Sequence, residues 1–356
     1  MSSTLTDTRT EASSRTLLGG SFGGALRSRD TVLVAVLLMA LVFASVSVDR
    51  FASTVTVGYL LLDAIPLLLL ALPMTLIIVT GEIDLSVASI VGLTTATVGT
   101  LWLNGYGFLV TAIAALVVGI LAGVTNGFLI AYVGLPSLAV TIGTLALYRG
   151  LALVVIGDNA VGDFPPDLSA FVTSKIGGTG IPVVMVGVLV IAAIFATLLH
   201  FTPFGRGLYA LGFSKEAATF VGFKGARAKF WLYVASGLVC GIVGLYWSLR
   251  YSSARSDSAA GLELTVIAAV LLGGVSIFGG RGTITGALTG VLLIAVINYA
   301  LRLQRVPQEI LIVITGSLLI ISVVGPSIYE RLRAAIHTRS VNKRVPAAVP
   351  AGGSDA

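Results

Sequence analysis

GFLVTAIAALVVGILAGVTNGFLIAYVGLPSLAVTIGTLALY, residues 107–148, runs for 42 positions without a charged side chain. One membrane-spanning helix needs about 20 residues at about 1.5 Å of rise each, so the stretch holds two spans rather than one. Gly134-Leu135-Pro136 is the natural break, because proline lacks the N–H that the helix ladder needs. The same rule read outward finds uncharged or nearly uncharged runs at 31–48, 55–80, 85–103, 107–133, 135–156, 181–199, 230–249, 264–280, 282–301 and 310–329. The expectation is an all-α integral membrane protein of about ten transmembrane helices.

Composition agrees. Of 356 residues 56% are apolar and 11% are charged, against roughly a quarter charged in a soluble domain. The 42 glycines suit membrane helices, which pack through small residues. Gly282, Gly286 and Gly290, four residues apart on the ninth span, read as one such packing face. Cys240 is the only cysteine and lies in an apolar run, which excludes a disulfide scaffold. The net charge of +6 is scattered between apolar blocks with no interleaved aromatic patch, so no nucleic-acid partner is expected.

Lysine and arginine set the direction of threading. With both termini cytoplasmic, the inside segments hold 15 of the 22 basic residues, including Arg206, Lys215, Lys224, Arg227, Lys229 and Arg281. The outside segments hold six, and Arg149 falls within the fifth span. The predicted layout is a polar cytoplasmic segment 1–30, a transmembrane domain 31–329 with a cytoplasmic loop 202–229, and a basic tail 330–356. Both ends are expected to be disordered. A faint repeat links Asn126 through Pro136 and Thr141 to Asn298 through Pro307 and Ile314, which suggests five helices followed by five inverted ones. That arrangement suits alternating access around a central site.

No reactive constellation assembles. His200 and His337 lie far apart in sequence without a metal-binding pattern, and no phosphate-binding Gly-x-x-x-x-Gly-Lys loop occurs. Neither metal nor cofactor is expected in this chain, and any ATP hydrolysis falls to a partner. Charges inside spans are costly and informative. Asp63 either lines a polar cavity or is hydrated near the outer interface, and Arg149 either snorkels outward or pairs inside the bundle. Asn126, Thr141, Thr144 and Asn298 are neutral hydrogen-bonding groups at membrane depth, fit either for a hydroxylated solute or for interhelical bonds. Asp63, Asn126, Arg149 and Asn298 are the expected polar path.

The densest local signal is Gly81-Glu-Ile-Asp-Leu-Ser-Val-Ala-Ser89, where Asp84 or Ser86 is placed to cap the third span. With Gly81, Asp84 and Ser86 as its signature positions, it resembles the Gly-Gly-Ile-Asp-Leu-Ser-Val-Gly-Ser motif of membrane permeases of bacterial ABC importers for monosaccharides, the ribose, xylose, arabinose, rhamnose and autoinducer-2 group. Tyr148-Arg149-Gly150, Ala254-Arg-Ser-Asp257, Glu263 through Ala269, Gly273-Gly274 and Phe278-Gly-Gly-Arg-Gly282 match in order over residues 60 to 325. Glu82 and Ala88 depart from glycines common in the family and bear on the sugar rather than the fold. Ser253 through Asp257 and Leu72-Pro-Met-Thr75 point to the rhamnose and autoinducer-2 branch. Glu216-Ala217-Ala218 followed by Gly222 is similar to the loop by which such permeases dock their ATPase. The resemblance implies a transport subunit of the inner membrane, not an enzyme. Its implied partners are a cytosolic ABC ATPase, a periplasmic sugar-binding protein received by 157–180 and 250–262, and a second permease, identical or paralogous. An ion-coupled carrier with Asp63 as its titrating group is the rival expectation.

Overall fold

The computed structural model describes residues 29–324, so most of the expected N-terminal segment and the whole tail 330–356 lie outside the described residues. The chain folds into helices α1 (Arg29–Ser47), α2 (Thr54–Val79), α3 (Val87–Leu103), α4 (Phe108–Ala131), α5 (Ser137–Ile156), α6 (Pro166–Thr173), α7 (Met185–Phe201), α8 (Pro203–Phe213), α9 (Lys215–Phe220), α10 (Gly225–Tyr251), α11 (Leu262–Leu272), α12 (Ile284–Leu303) and α13 (Gln308–Val324). Six of these, α1, α2, α4, α5, α10 and α12, are long and apolar enough to cross a membrane. The pair α7 and α8 makes a seventh if counted as one span, bent by 67°. The shorter α3, α11 and α13 are also apolar. Among the described residues the only β contacts are two isolated bridges.

Bonds between segments distant in sequence define two faces, the upper marked by Val161 with Ala254 and by Asp63 with Arg250 and Arg302, the lower by Glu82 with Lys229 and by Gly280 with Val79. The upper carries 48–53, 104–107, 157–184, 252–261 and 304–307; the lower carries 132–136, 202–224 and 273–283. One expectation changes. Residues 264–280 are not one continuous helix: α11 stops at Leu272, and Gly274, Gly279, Gly280 and Gly282 turn the chain at positive φ. This stretch is apolar because it is packed, Gly280 donating to the Val79 carbonyl at 2.8 Å beneath α8. Residues 202–229 are mostly helical, forming α8, α9 and the first turn of α10.

The core is built around α2, which is buried for most of its length, while α1 is mostly exposed on the outside. Pro66 inside α2 cannot donate to the Leu62 carbonyl, and the Tyr246 hydroxyl does so instead at 2.7 Å. The most extensive helix contact joins α4 to α10. A Cβ on Gly119 would sit 2.4 Å from the Gly237 carbonyl oxygen, and one on Gly123 2.4 Å from that of Tyr233. Gly286 and Gly290 of α12 press in the same way on the Gly273 and Ala269 carbonyls, whereas Gly282 lies in the preceding turn.

Candidate functional site

Two extended interruptions enter this bundle, and each organises one polar region. Residues 80–86, between α2 and α3, return from the lower face into the interior. Asp84, 1% exposed, accepts through Oδ1 from the Ser86 amide at 3.0 Å and the Ser86 hydroxyl at 2.6 Å, and through Oδ2 from the Ser236 hydroxyl of α10 at 3.1 Å. Ser86 caps α3 by backbone position only; its side chain makes no capping bond, and Asp84 serves the Ser86 amide instead. Asn126, fully buried, donates to Ser86 Oγ at 2.8 Å, and the Tyr148 hydroxyl donates to the Ala122 carbonyl at 3.1 Å and contacts Asn126 Oδ1 at 3.4 Å. The Ile83 backbone bonds to Ser137, Thr141 and Tyr233. At depth every polar group needs a protein partner, and the short side chains of α4, α5 and α10 supply them. Gly81 turns the chain into this segment at φ +80°. Below it Glu82 and Lys229 form an ion pair at the roof of a cavity of about 610 Å³ on the lower face.

The second interruption, residues 252–261, joins α10 to α11 from the upper face. It is tied to the 157–184 connection by paired bonds between Val161 and Ala254, at 3.0 and 2.8 Å. It walls one side of a cavity of about 520 Å³ whose other sides come from α2, α10, α11 and α12, with Gln308 at the start of α13. Asp63 and Asn298 both line this cavity, with Trp247, Tyr251 and Tyr299. Asp63 accepts from Arg250 at 3.3 Å and Arg302 at 3.4 Å and lies 3.5 Å from the Tyr251 hydroxyl. Arg250 also stacks on Tyr59 and Tyr251. Among the described residues the Asn298 amide has no protein hydrogen-bond partner, and Asn298 lines the cavity.

The four polar residues expected along a path therefore divide. The structure brings Asp63 and Asn298 together, places Asn126 in the buried network around Asp84, and sets Arg149 behind the 252–261 wall, where it bonds to the Ser256 and Ser258 carbonyls. Arg250, Arg302 and the three aromatic residues were not singled out in sequence. The cue was present for the arginines alone, one at the C-terminal end of α10 and one at that of α12. Lys229 as the partner of Glu82, 147 positions away, had no local cue.

The lower-face stretch 214–222 is a capped turn of helix. Ser214 ends α8 and starts α9, accepting from the Ala217 amide at 3.1 Å. Gly222, at φ +78°, donates to Thr219, and Phe223 donates to Ala218, a helix stop that requires a residue able to take left-handed φ. Ala218 is fully buried and Gly222 makes the stop, whereas Glu216 and Ala217 are exposed. Its own backbone amide and then the Ser214 hydroxyl hold the Glu216 carboxyl below the usual carboxylate range.

Residues 56–323 match the family described as branched-chain amino acid transport system / permease component. The chain is 34% identical over 272 residues to the autoinducer 2 import system permease protein LsrD of Photorhabdus laumondii, covering 75% of this chain and 81% of that one. It is also 34% identical over 307 residues to the autoinducer 2 import system permease protein LsrC of Yersinia pseudotuberculosis, and equally to LsrC of Yersinia pestis, covering 86% of each chain. No solved structure matches. With its apolar helices and its signature segment folded into their midst, the chain belongs to this family of multi-pass inner-membrane permeases, the transport subunits of bacterial ABC importers of the sugar class, and is not an enzyme.

Proposed function

We propose that the chain carries a small polyhydroxylated solute inward across the membrane, with the upper cavity as the entrance. The carrying observation is the lining: a carboxylate, an unpartnered carboxamide and three aromatic rings around about 520 Å³, a volume suited to a monosaccharide-sized ligand. Hydroxyls suit Asp63 and Asn298, and ring C–H faces suit Trp247, Tyr251 and Tyr299. Asn126 would meet solute only when the Asp84 network opens. A proton-coupled carrier with Asp63 as its titrating group is the second reading, and the ATP and protonophore arms of the test below separate the two.

The lower face is cytoplasmic in this reading, with both termini on it, which the basic-residue bias supports. Ten spans in a five-plus-five inverted arrangement accommodate α3, α11, α13 and the bent α7–α8 pair. The opposed directions of α4 and α12, and the entry of 80–86 and 252–261 from opposite faces, favour it. ABC importer permeases work with an ATPase and a solute-binding protein. Here the ATPase docks on α9 through Glu216 and Ala217, Ala218 and Gly222 shaping that helix. The binding protein seats on 157–180 and 250–262, and a second permease, identical or paralogous, completes the pair. The chain itself holds no cofactor.

Autoinducer 2 is the leading substrate, because both kinds of relative carry it in their names; a rhamnose-like sugar is the second. Vesicles holding this permease with its ATPase and binding protein test the reading. Autoinducer-2 or rhamnose uptake should require ATP and survive a protonophore. Uptake that ignores ATP and collapses with the proton gradient, or that serves only a branched-chain amino acid, overturns it.

A further inference from the structure

Arg149 is the thirteenth residue of α5, two turns before its C-terminal end. Its Nη1 donates to the Ser256 carbonyl at 2.8 Å and the Ser258 carbonyl at 2.9 Å, and its Nη2 to the Ala88 carbonyl at 3.3 Å. One planar guanidinium thus joins α5, the first turn of α3 and the middle of the 252–261 segment. Arginine has five donors and no acceptor, so carbonyls are what it needs at this depth. The cavity is lined by the opposite side of the same segment, through Arg255, Asp257, Ser258, Ala259 and Ala260, and Arg149 does not reach it.

Two further observations locate the function in the contact itself. Gly92 of α3 lies directly beneath: a Cβ there would fall 2.5 Å from Arg149 Nη1 and 3.2 Å from the Ser258 carbonyl oxygen. The absence of a side chain at 92 therefore makes room for the guanidinium and the loop together. Next to Ser258, Ala259 takes a left-handed φ of +61°, a conformation that a residue with a Cβ holds only where its surroundings fix it.

We propose that Arg149 is a positioning residue: it holds the 252–261 wall against α3 and α5, so that the entrance keeps its shape, and it touches no solute. This inference rests on the reading of the upper cavity as the entrance, and the test separates the two.

Ser258 is buried, 7% exposed, and reports on the wall. In the assembled importer carrying Cys240→Ala and Ser258→Cys, labelling by a membrane-impermeant maleimide is slow while the wall is held. Arg149→Met and, independently, Gly92→Ala should each raise the labelling rate about tenfold, as expected when charge-assisted bonds to a buried segment are lost. Arg149→Lys, with one ammonium for three carbonyls, should fall between. ATP-driven uptake, measured with Ser258 in place, should drop in the same order. Unchanged labelling in both variants overturns the strut. Loss of uptake in Arg149→Met alongside normal uptake and labelling in Gly92→Ala overturns it in favour of a direct role for the guanidinium. If Arg149→Met fails to insert, Gly92→Ala decides by itself. A parent complex that imports no hydroxylated solute sinks the entrance reading, while the labelling still judges the strut.

Discussion

The segments 80–86 and 252–261 solve one problem in opposite ways. Each breaks the helical ladder inside an apolar bundle, and each must find partners for its polar groups. The lower segment is satisfied by side chains: Asp84 takes three donors, Asn126 and Ser86 bond to each other, and Glu82 is neutralised by Lys229. The upper segment is satisfied by backbone pairing with Val161 and by Arg149, and its other side lines a cavity. A region closed to water needs a complete polar network, while one open to it tolerates an unpartnered Asn298 and an exposed Arg255–Asp257 pair. The contrast is between the buried Asp84 network and the cavity-lining upper segment rather than between the two faces, since a cavity of about 610 Å³ also reaches Gly81 and Glu82 from the lower face.

The largest effect should come from the centre of the closed segment. Asp84→Ala leaves the Ser86 amide, the Ser86 hydroxyl and the Ser236 hydroxyl without an acceptor in the interior. The expected cost is about 3 kcal/mol or more, visible as a collapse of folded yield and of thermal stability in detergent. Asp84→Asn keeps one acceptor oxygen, and the Ser236 hydroxyl is free to turn, so about 1 kcal/mol is expected. Equal stability for Asp84→Ala and the parent would mean that water reaches the segment, and the contrast between the two regions would disappear.

Much of this was legible in sequence where the signal is local. The 42 uncharged positions and the Gly134-Leu135-Pro136 break mark α4 and α5, and the structure turns between them at 132–136. Asp63 and Asn298 stood out because polar groups in apolar runs are costly. Apolarity alone misjudged 264–280, since it measures burial and not helicity, and the glycines after Leu272 turn the chain while staying packed. Asn126 and Asn298 look alike in sequence, yet one lies in the closed network and the other faces a cavity. Their difference depends on partners 40 or more positions away. The same holds for Glu82, whose departure from the family glycine was visible and whose lysine was not.

That pair gives the next effect in size. Glu82→Gln leaves the Lys229 ammonium mostly buried without a counter-charge, at an expected cost of about 2 kcal/mol. Glu82→Gln with Lys229→Met should recover most of it, to within about 1 kcal/mol of the parent, because removing both charges also removes their desolvation. A double-mutant cycle on thermal stability reads the coupling, and additive losses would show that the pair does not close the lower segment. Asp63→Asn probes the open side. It leaves Arg250, nearly as buried as Lys229, without its carboxylate, while Arg302 is exposed, so stability should fall by no more than about 2 kcal/mol. Uptake should suffer more than stability, and a variant that loses folding without losing uptake per folded molecule would break the assignment of Asp63 to the entrance.

The smallest effect should lie at the rim of the open segment. Arg255 grips Asp257 through two bonds, at 2.8 and 3.1 Å, yet both side chains are more than half exposed. The Arg255 hydrogen bonds hold the Asp257 carboxyl below its usual 3.8. A depressed carboxylate stabilises the fold above that ordinary value and loses its contribution as the pH falls through the folded value. Stability between about pH 5 and pH 8 should therefore be insensitive to Asp257, with any slope confined to more acid conditions. Asp257→Asn should change thermal stability by less than about 0.5 kcal/mol, and added salt should shrink even that. A larger loss, resistant to salt, would mean that the pair is shielded from water, and that the upper segment is held closed in the way the lower one is.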